Sequence, residues 1–192
     1  MLKKRDLTES GALFDLMRDP EVFPFVRQKA STAEEYLFIT KQTIELEEQH
    51  QLISRTILDE YNQPIGTITL FDIEEGAGFL GTWIGKPYHG KGYNKQAKDA
   101  FFTEVFTQTD IHTIFMRIRK VNVRSQKAAL KLPFVQLAND THPVILDSLN
   151  ANAPIYDLFA VTKERFLAHK RIAQHLATFV DSVENEEERL EA

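Results

Sequence analysis

Cysteine is absent from these 192 residues. This excludes a disulfide framework, a thiolate nucleophile and thiolate metal ligation. No apolar run approaches the roughly 18 residues that a membrane-spanning helix needs. Met1-Leu2-Lys3-Lys4-Arg5-Asp6 is basic but has no apolar stretch behind it, so no signal peptide is expected and the simplest address is the cytoplasm. No His-Glu-x-x-His pair occurs, and no metal site is expected. A surplus of one charge is also missing from most of the chain. The net charge is -5, and the last twelve residues alone carry six acids and one base. The remaining body is neutral, which argues against a general nucleic-acid binder.

With 43% hydrophobic residues, a chain of this length can bury one sizeable core. Its charge is unevenly laid out. Residues 1–85 hold 15 acids and 8 bases, whereas residues 86–131 hold 3 acids and 10 bases. A basic middle suits an anionic ligand and an acidic first half a cationic one.

Periodicity gives the order of elements. Leu2 to Arg5 suits a short strand. Thr8 to Met17 is expected to be helical and is broken by Asp19-Pro20. Ser31-Thr32 offers a cap for a second helix, which keeps Tyr36, Ile39, Thr43 and Leu46 at helical spacing and ends near Gln49. Strands follow at Gln51 to Leu58, Ile65 to Ile73 and Phe79 to Ile84, with turns at Asn62-Gln63-Pro64 and Glu74-Glu75-Gly76. A glycine-containing loop, His89-Gly90-Lys91-Gly92-Tyr93-Asn94, leads into a helix with Ala97, Ala100, Phe101 and Val105 on one face. Then come a strand at Ile114 to Val121, a helix at Val123 to Leu132, strands at Phe134 to Leu137 and Ile155 to Val161, and a loop at Asn139 to Asn152 between them. An amphipathic helix from Lys163 to Val183 closes the chain, with Phe166, Ile172, Leu176, Phe179, Val180 and Val183 at helical spacing. Residues 1–183 form one α/β domain with a central mixed sheet, and 184–192 an acidic tail expected to fray.

A glycine loop between a strand and a helix points backbone N–H groups at an anion. Lys91 is followed by Gly92 rather than Ser or Thr, so this is not a P-loop. A dinucleotide fingerprint would need a third glycine and a first-strand position. Asn94 could cap the helix.

Four stretches in this order resemble the GNAT superfamily of acetyl-CoA-dependent N-acetyltransferases, and within it the RimJ/RimL-like branch of ribosomal-protein N-terminal acetyltransferases. They are Pro64-Ile65-Gly66-Thr67-Ile68, Leu80-Gly81-Thr82-Trp83-Ile84, the loop His89 to Asn94, and Asn122-x-x-Ser125 followed by Lys131-Leu132-Pro133-Phe134. The resemblance covers about Leu2 to Phe166. It implies the GNAT fold, a mostly antiparallel mixed sheet flanked by helices. It implies acetyl-CoA as cosubstrate, with its pyrophosphate held by His89, Gly90, Lys91, Gly92, Tyr93 and Asn94. Main-chain groups at Trp83 and Ile84 would meet the pantetheine arm, with Asn122 on its other side. Lys91, Lys95, Arg124 and Lys127 suit the cofactor's phosphates. His89 and Asn94 depart from the usual Gln or Arg and Gly or Ala, and Pro133 replaces a glycine.

The implied reaction is direct transfer of an acetyl group to a primary amine, a protein N-terminus or a small amine, in a ternary complex. The attacking amine must be neutral, although a free alkylamine has a pKa of roughly 10.4, so a base or a desolvating site is needed. A strand N–H would stabilise the oxyanion. The resemblance makes Ser125 the acid for the departing thiolate. The strand glutamate of some relatives is replaced by Arg117, Arg119 and Lys120, and a helix tyrosine by Ala129. Asp72, Glu74 and Glu75 at the central hairpin are the candidate bases, with Tyr88 and His89 further choices. Glu34, Glu35, Glu45, Glu47 and Glu48 on the early helices point to a cationic acceptor. No nucleic-acid or membrane partner is expected, and the protein would be a monomer or homodimer. Two alternatives keep the fold without the chemistry: an acyl-CoA-binding sensor, or an interaction module that dimerises through the closing helix.

Overall fold

The structure, a computed structural model, describes the backbone of residues 1–191 and the side chains of residues 1–179. Seven strands form one sheet: β1 (Leu2–Lys4), β2 (Ile53–Leu58), β3 (Pro64–Glu74), β4 (Ala77–Ile84), β5 (Thr113–Arg119), β6 (Gln136–Leu137) and β7 (Tyr156–Thr162). Their order is β1-β2-β3-β4-β5-β7-β6. Every neighbouring pair is antiparallel except β4 and β5, which run parallel. That one parallel pair shapes the site. It joins Ala77 to Thr113, Gly78 to Ile114 and Phe79 to Phe115, and then stops. From Leu80 and Met116 onward the two strands separate and leave a wedge in the middle of the sheet.

Side-chain alternation gives the sheet two different faces. Ile68, Leu70, Leu80, Ile84, Ile114, Met116 and Val161 meet Phe101, Phe102, Val105 and Phe106 of α3 (Tyr93–Gln108) in the main core. Phe166, at the start of α6 (Lys163–Glu191), stands edge-on to Phe134 and Phe102, with ring centroids 4.9 and 5.9 Å away. Burying each such ring contributes about 1.5–3 kcal/mol. The other face carries α1 (Ser10–Met17) and α2 (Ala33–Glu48). Leu13, Met17, Val22, Val26 and Tyr36 form a second cluster there, with Trp83 against it.

Local chemistry explains most boundaries. Thr32 caps α2 by accepting from the Glu35 N–H at 3.2 Å. Asp6, not Thr8, captures the first free amide of the opening helical turns, accepting from Thr8 N at 2.8 Å, so α1 proper begins at Ser10. The stretch expected as a loop from Asn139 to Asn152 contains a further helix, α5 (Pro143–Leu149). Its Ile145, Leu146 and Leu149 pack on Phe115 and Leu158. On α3, Ala100 is exposed and Lys98 takes the inward place instead. The next helix, α4 (Val123–Leu130), stops before Pro133. The closing helix keeps only its start in the core: Ile172 and Leu176 are both 61% exposed. The side chains of Val180, Val183 and the acidic tail at 184–192 lie outside the described residues.

Candidate functional site

The wedge between β4 and β5 opens into a cavity of about 420 Å3. Gly81, Thr82 and Trp83 line one side and Met116, Arg117 and Ile118 the other. Tyr36, Ile39 and Thr43 of α2 close it from one face of the sheet, and Asn94 and Lys98 of α3 reach it from the opposite face. Asn122, Ser125 and Tyr156 complete its wall.

The glycine loop lies at the open end of the wedge, beyond Ile84. Gly90 and Gly92 have φ of +78° and +88°, a left-handed backbone that side chains rarely adopt. A Cβ on Gly90 would meet nothing within 4 Å, so the space above the loop is open. Gly92 is the N-cap of α3, and no side chain caps the helix there. Asn94, expected as that cap, sits inside the first turn and faces the cavity. The first amides of a sixteen-residue helix are therefore left for an external acceptor, where its dipole favours negative charge.

His89 and Arg124 brace the loop. His89 donates from Nε2 to the Ile84 carbonyl at 2.7 Å and accepts at Nδ1 from Arg124 at 2.8 Å. Both ring nitrogens are engaged, and the Ile84 carbonyl is taken. Asn122 caps α4 by accepting from the Ser125 N–H at 3.2 Å, which sets Ser125 at the cavity wall. The cap is the local reason for an Asn followed three residues later by Ser. Exposed Lys91 lies 5.5 Å from the Tyr88 ring. The open glycines, the uncapped helix and the surrounding cations fit the phosphates of a coenzyme A thioester.

Several candidate residues stand elsewhere. Asp72, Glu74 and Glu75 are exposed at the β3–β4 turn and do not line the cavity. Tyr93 turns to Glu60, whose hydrogen bond pushes the phenol up to about 12. The glutamates of the early helices do not line the cavity. Glu47 pairs with Arg55, Glu35 accepts from the Ser31 amide, and Glu34, Glu45 and Glu48 are absent from the wall.

Two features escape a reading of the sequence. Lys98 is 5% exposed, and burial lowers its amine to about 8. The signal was one charged residue inside the Ala97–Phe101–Val105 stripe. Arg27 and Arg117 share the ring of Phe71, with guanidinium carbons 4.0 and 5.5 Å from its centroid. Arg27 comes from the segment between α1 and α2, where no periodicity marks it.

Comparison with known proteins gives a consistent picture. The family profile described as "Acetyltransferase (GNAT) domain" matches residues 2–135. No curated protein matches the chain. Among solved structures, FdhC, described as a nucleotide-linked sugar GNAT, superposes with a TM-score of 0.72 at 14% identity, covering 90% of this chain and 92% of its own. The ribosomal-protein-S5-alanine acetyltransferase from Vibrio fischeri gives 0.67 at 17% identity over 84% and 92%. A variant of the spermidine N-acetyltransferase from Vibrio cholerae gives 0.66 at 12% identity over 88% and 99%. At these identities the likeness is one of fold, and it does not separate one branch from another.

Proposed function

The chain belongs to the GNAT acetyltransferase family, and from that premise we propose that it transfers an acetyl group from acetyl-CoA to a primary amine. The uncapped start of α3, whose first-turn Asn94 lines the same cavity as Ser125, is the observation that carries this reading. The order of motifs further supports the branch that modifies protein N-termini, with a small amine as the other acceptor class.

The amides of Gly92, Tyr93 and Asn94 hold the pyrophosphate, with Lys91 and Arg124 beside them. The edge of β4 that β5 leaves unpaired receives the pantetheine amides as an added strand would, and Trp83 and Asn122 flank it. Acetyl-CoA supplies an activated acyl group as a thioester. Ser125 lines the wall, and its hydroxyl hands a proton to the departing sulfur while taking one back from water. Lys98, positively charged at neutral pH, lies at the floor of the wedge and favours negative charge above it, which a low-dielectric surrounding strengthens. No carboxylate lines the cavity among the described residues. The acceptor's proton therefore leaves through water, and Asp72 and Glu74 take part only at that remove. Holding both reactants in one wedge can be worth about 7–11 kcal/mol.

Calorimetry with acetyl-CoA tests the proposal. The protein should bind it, and Gly92→Glu should abolish binding, with circular dichroism and thermal melting checking that the variant still folds. A folded protein that ignores acetyl-CoA would remove the enzyme reading and leave a GNAT-shaped interaction module. Binding without thiol release over a broad amine panel would favour the sensor.

A further inference from the structure

The cavity wall contains Arg5, Arg27, Lys29, Lys98, Arg117 and Arg119 and, among the described residues, no aspartate or glutamate. Resting on the acetyltransferase reading, we infer that the acceptor is an amine that carries its own anionic group, a carboxylate or a phosphate. Arg27 and Arg117 hold that group.

Position separates this site from the one for coenzyme A. Phe71 pairs with Phe79, and Phe79 pairs with Phe115 at the last rung before the strands part. The Arg117 guanidinium carbon is 5.5 Å from the Phe71 ring centroid and 5.6 Å from that of Phe79. The two arginines therefore stand over the closed apex of the wedge. The glycine loop stands beyond its mouth. The stretch of β4 from Phe79 to Trp83 alone spans roughly 13 Å. The cofactor's phosphates at the mouth leave the apex cations unanswered.

No carboxylate reaches those cations at hydrogen-bonding or ion-pairing distance among the described residues. Among the described residues, neither Arg27 nor Arg117 makes a hydrogen bond or an ion pair; each rests on an aromatic ring. Burial and the neighbouring Arg117 charge both make the Arg27 cation less favourable, and Asp72 only partly opposes this. Arg5 also faces the cavity. Its Nη2 donates to Thr40 Oγ1 at 3.3 Å, but its Nε is buried without a partner. Two guanidiniums on one aromatic shelf suit a planar carboxylate or a phosphate, which each can bind in a two-pronged manner. An anion there relieves the repulsion between them. A polyamine would meet like charge.

Trp83 is the only tryptophan and lines the cavity, so its fluorescence reads occupancy directly. The protein is first saturated with CoA and then titrated with glucosamine 6-phosphate or glucosamine, and with β-alanine or propylamine. The phosphorylated sugar or the amino acid should change the signal saturably, and the counterpart that lacks the anionic group should not. Which pair shows the contrast tells phosphate from carboxylate. In the transfer assay, kcat/KM should favour the anionic member by about tenfold or more, as a charge-assisted contact implies. The double variant Arg27→Gln with Arg117→Gln should lose that preference through KM while keeping its affinity for CoA. A preference for the amine without the anionic group or for spermidine overturns the inference, as does a preference for the anionic member that survives in the double variant. Failure to bind CoA at all is a separate result, visible in the first step, and removes the acetyltransferase reading together with this one.

Discussion

Lys98 shows what a single side chain can hide from a sequence reading. Its neighbours Ala97, Phe101 and Val105 announce a buried helix face, but a lysine at the edge of such a face is expected to reach solvent along its aliphatic stem. Here the stem ends under the wedge, and only the assembled sheet reveals that. Asn122 and Ser125 entered instead through the resemblance of Asn122-x-x-Ser125 to the acetyltransferase family, and the structure brings both to the cavity wall. Burial lowers the Lys98 amine from 10.5 to about 8. Between those values the unfolded chain still holds a proton that the folded protein has released. Stability from this group therefore rises with pH over that window and is flat below it. The full shift corresponds to about 3 kcal/mol. Urea unfolding of Lys98→Met should lack this rise and show higher stability than wild type at pH 7. Parallel pH profiles for the two proteins would refute it.

Among the elements, those with a strong period or a nearby cap were readable. Helix α2 begins and ends where Thr32 and Gln49 suggested, and the β2–β3–β4 meander follows its turn residues. Helix α5 was hidden because it is short and its few inward residues meet partners on β5 and β7 rather than on the helix itself. Contacts between elements were invisible in the same way. Arg55 of β2, 8% exposed, joins two helices. Its Nη1 is 2.5 Å from Glu47 of α2, and its Nε is 3.0 Å from Glu104 of α3. Removing the cation alone strands two carboxylates, so Arg55→Ala should cost roughly 3 kcal/mol. Adding Glu47→Gln and Glu104→Gln should restore much of it, because the stranded charge goes with them. Thermal melts of the single and triple variants check this, and equal losses would show that packing, not charge, sets the cost.

For the molecule as a whole, the charge map was readable as arithmetic but not as geometry. The acidic first half and basic middle suggested a cationic acceptor and an anionic cofactor. Folding brings Arg5, Arg27 and Lys29 from that acidic half to the cavity and sends its glutamates elsewhere. Net charge says nothing about which residues turn inward. The sheet itself carries a further consequence. Where β4 and β5 part after Phe79 and Phe115, two strands keep their outer partners, β3 and β7, and lose each other. The inward-facing amides over Leu80–Ile84 and Met116–Arg119 should trade deuterium with solvent as quickly as loop amides, although they lie at the centre of a seven-stranded sheet. Acetyl-CoA should slow that exchange on β4 before any chemistry occurs. The gap-facing amides at the middle of the sheet would then be as labile as a loop in the empty protein and among the most protected in the loaded one.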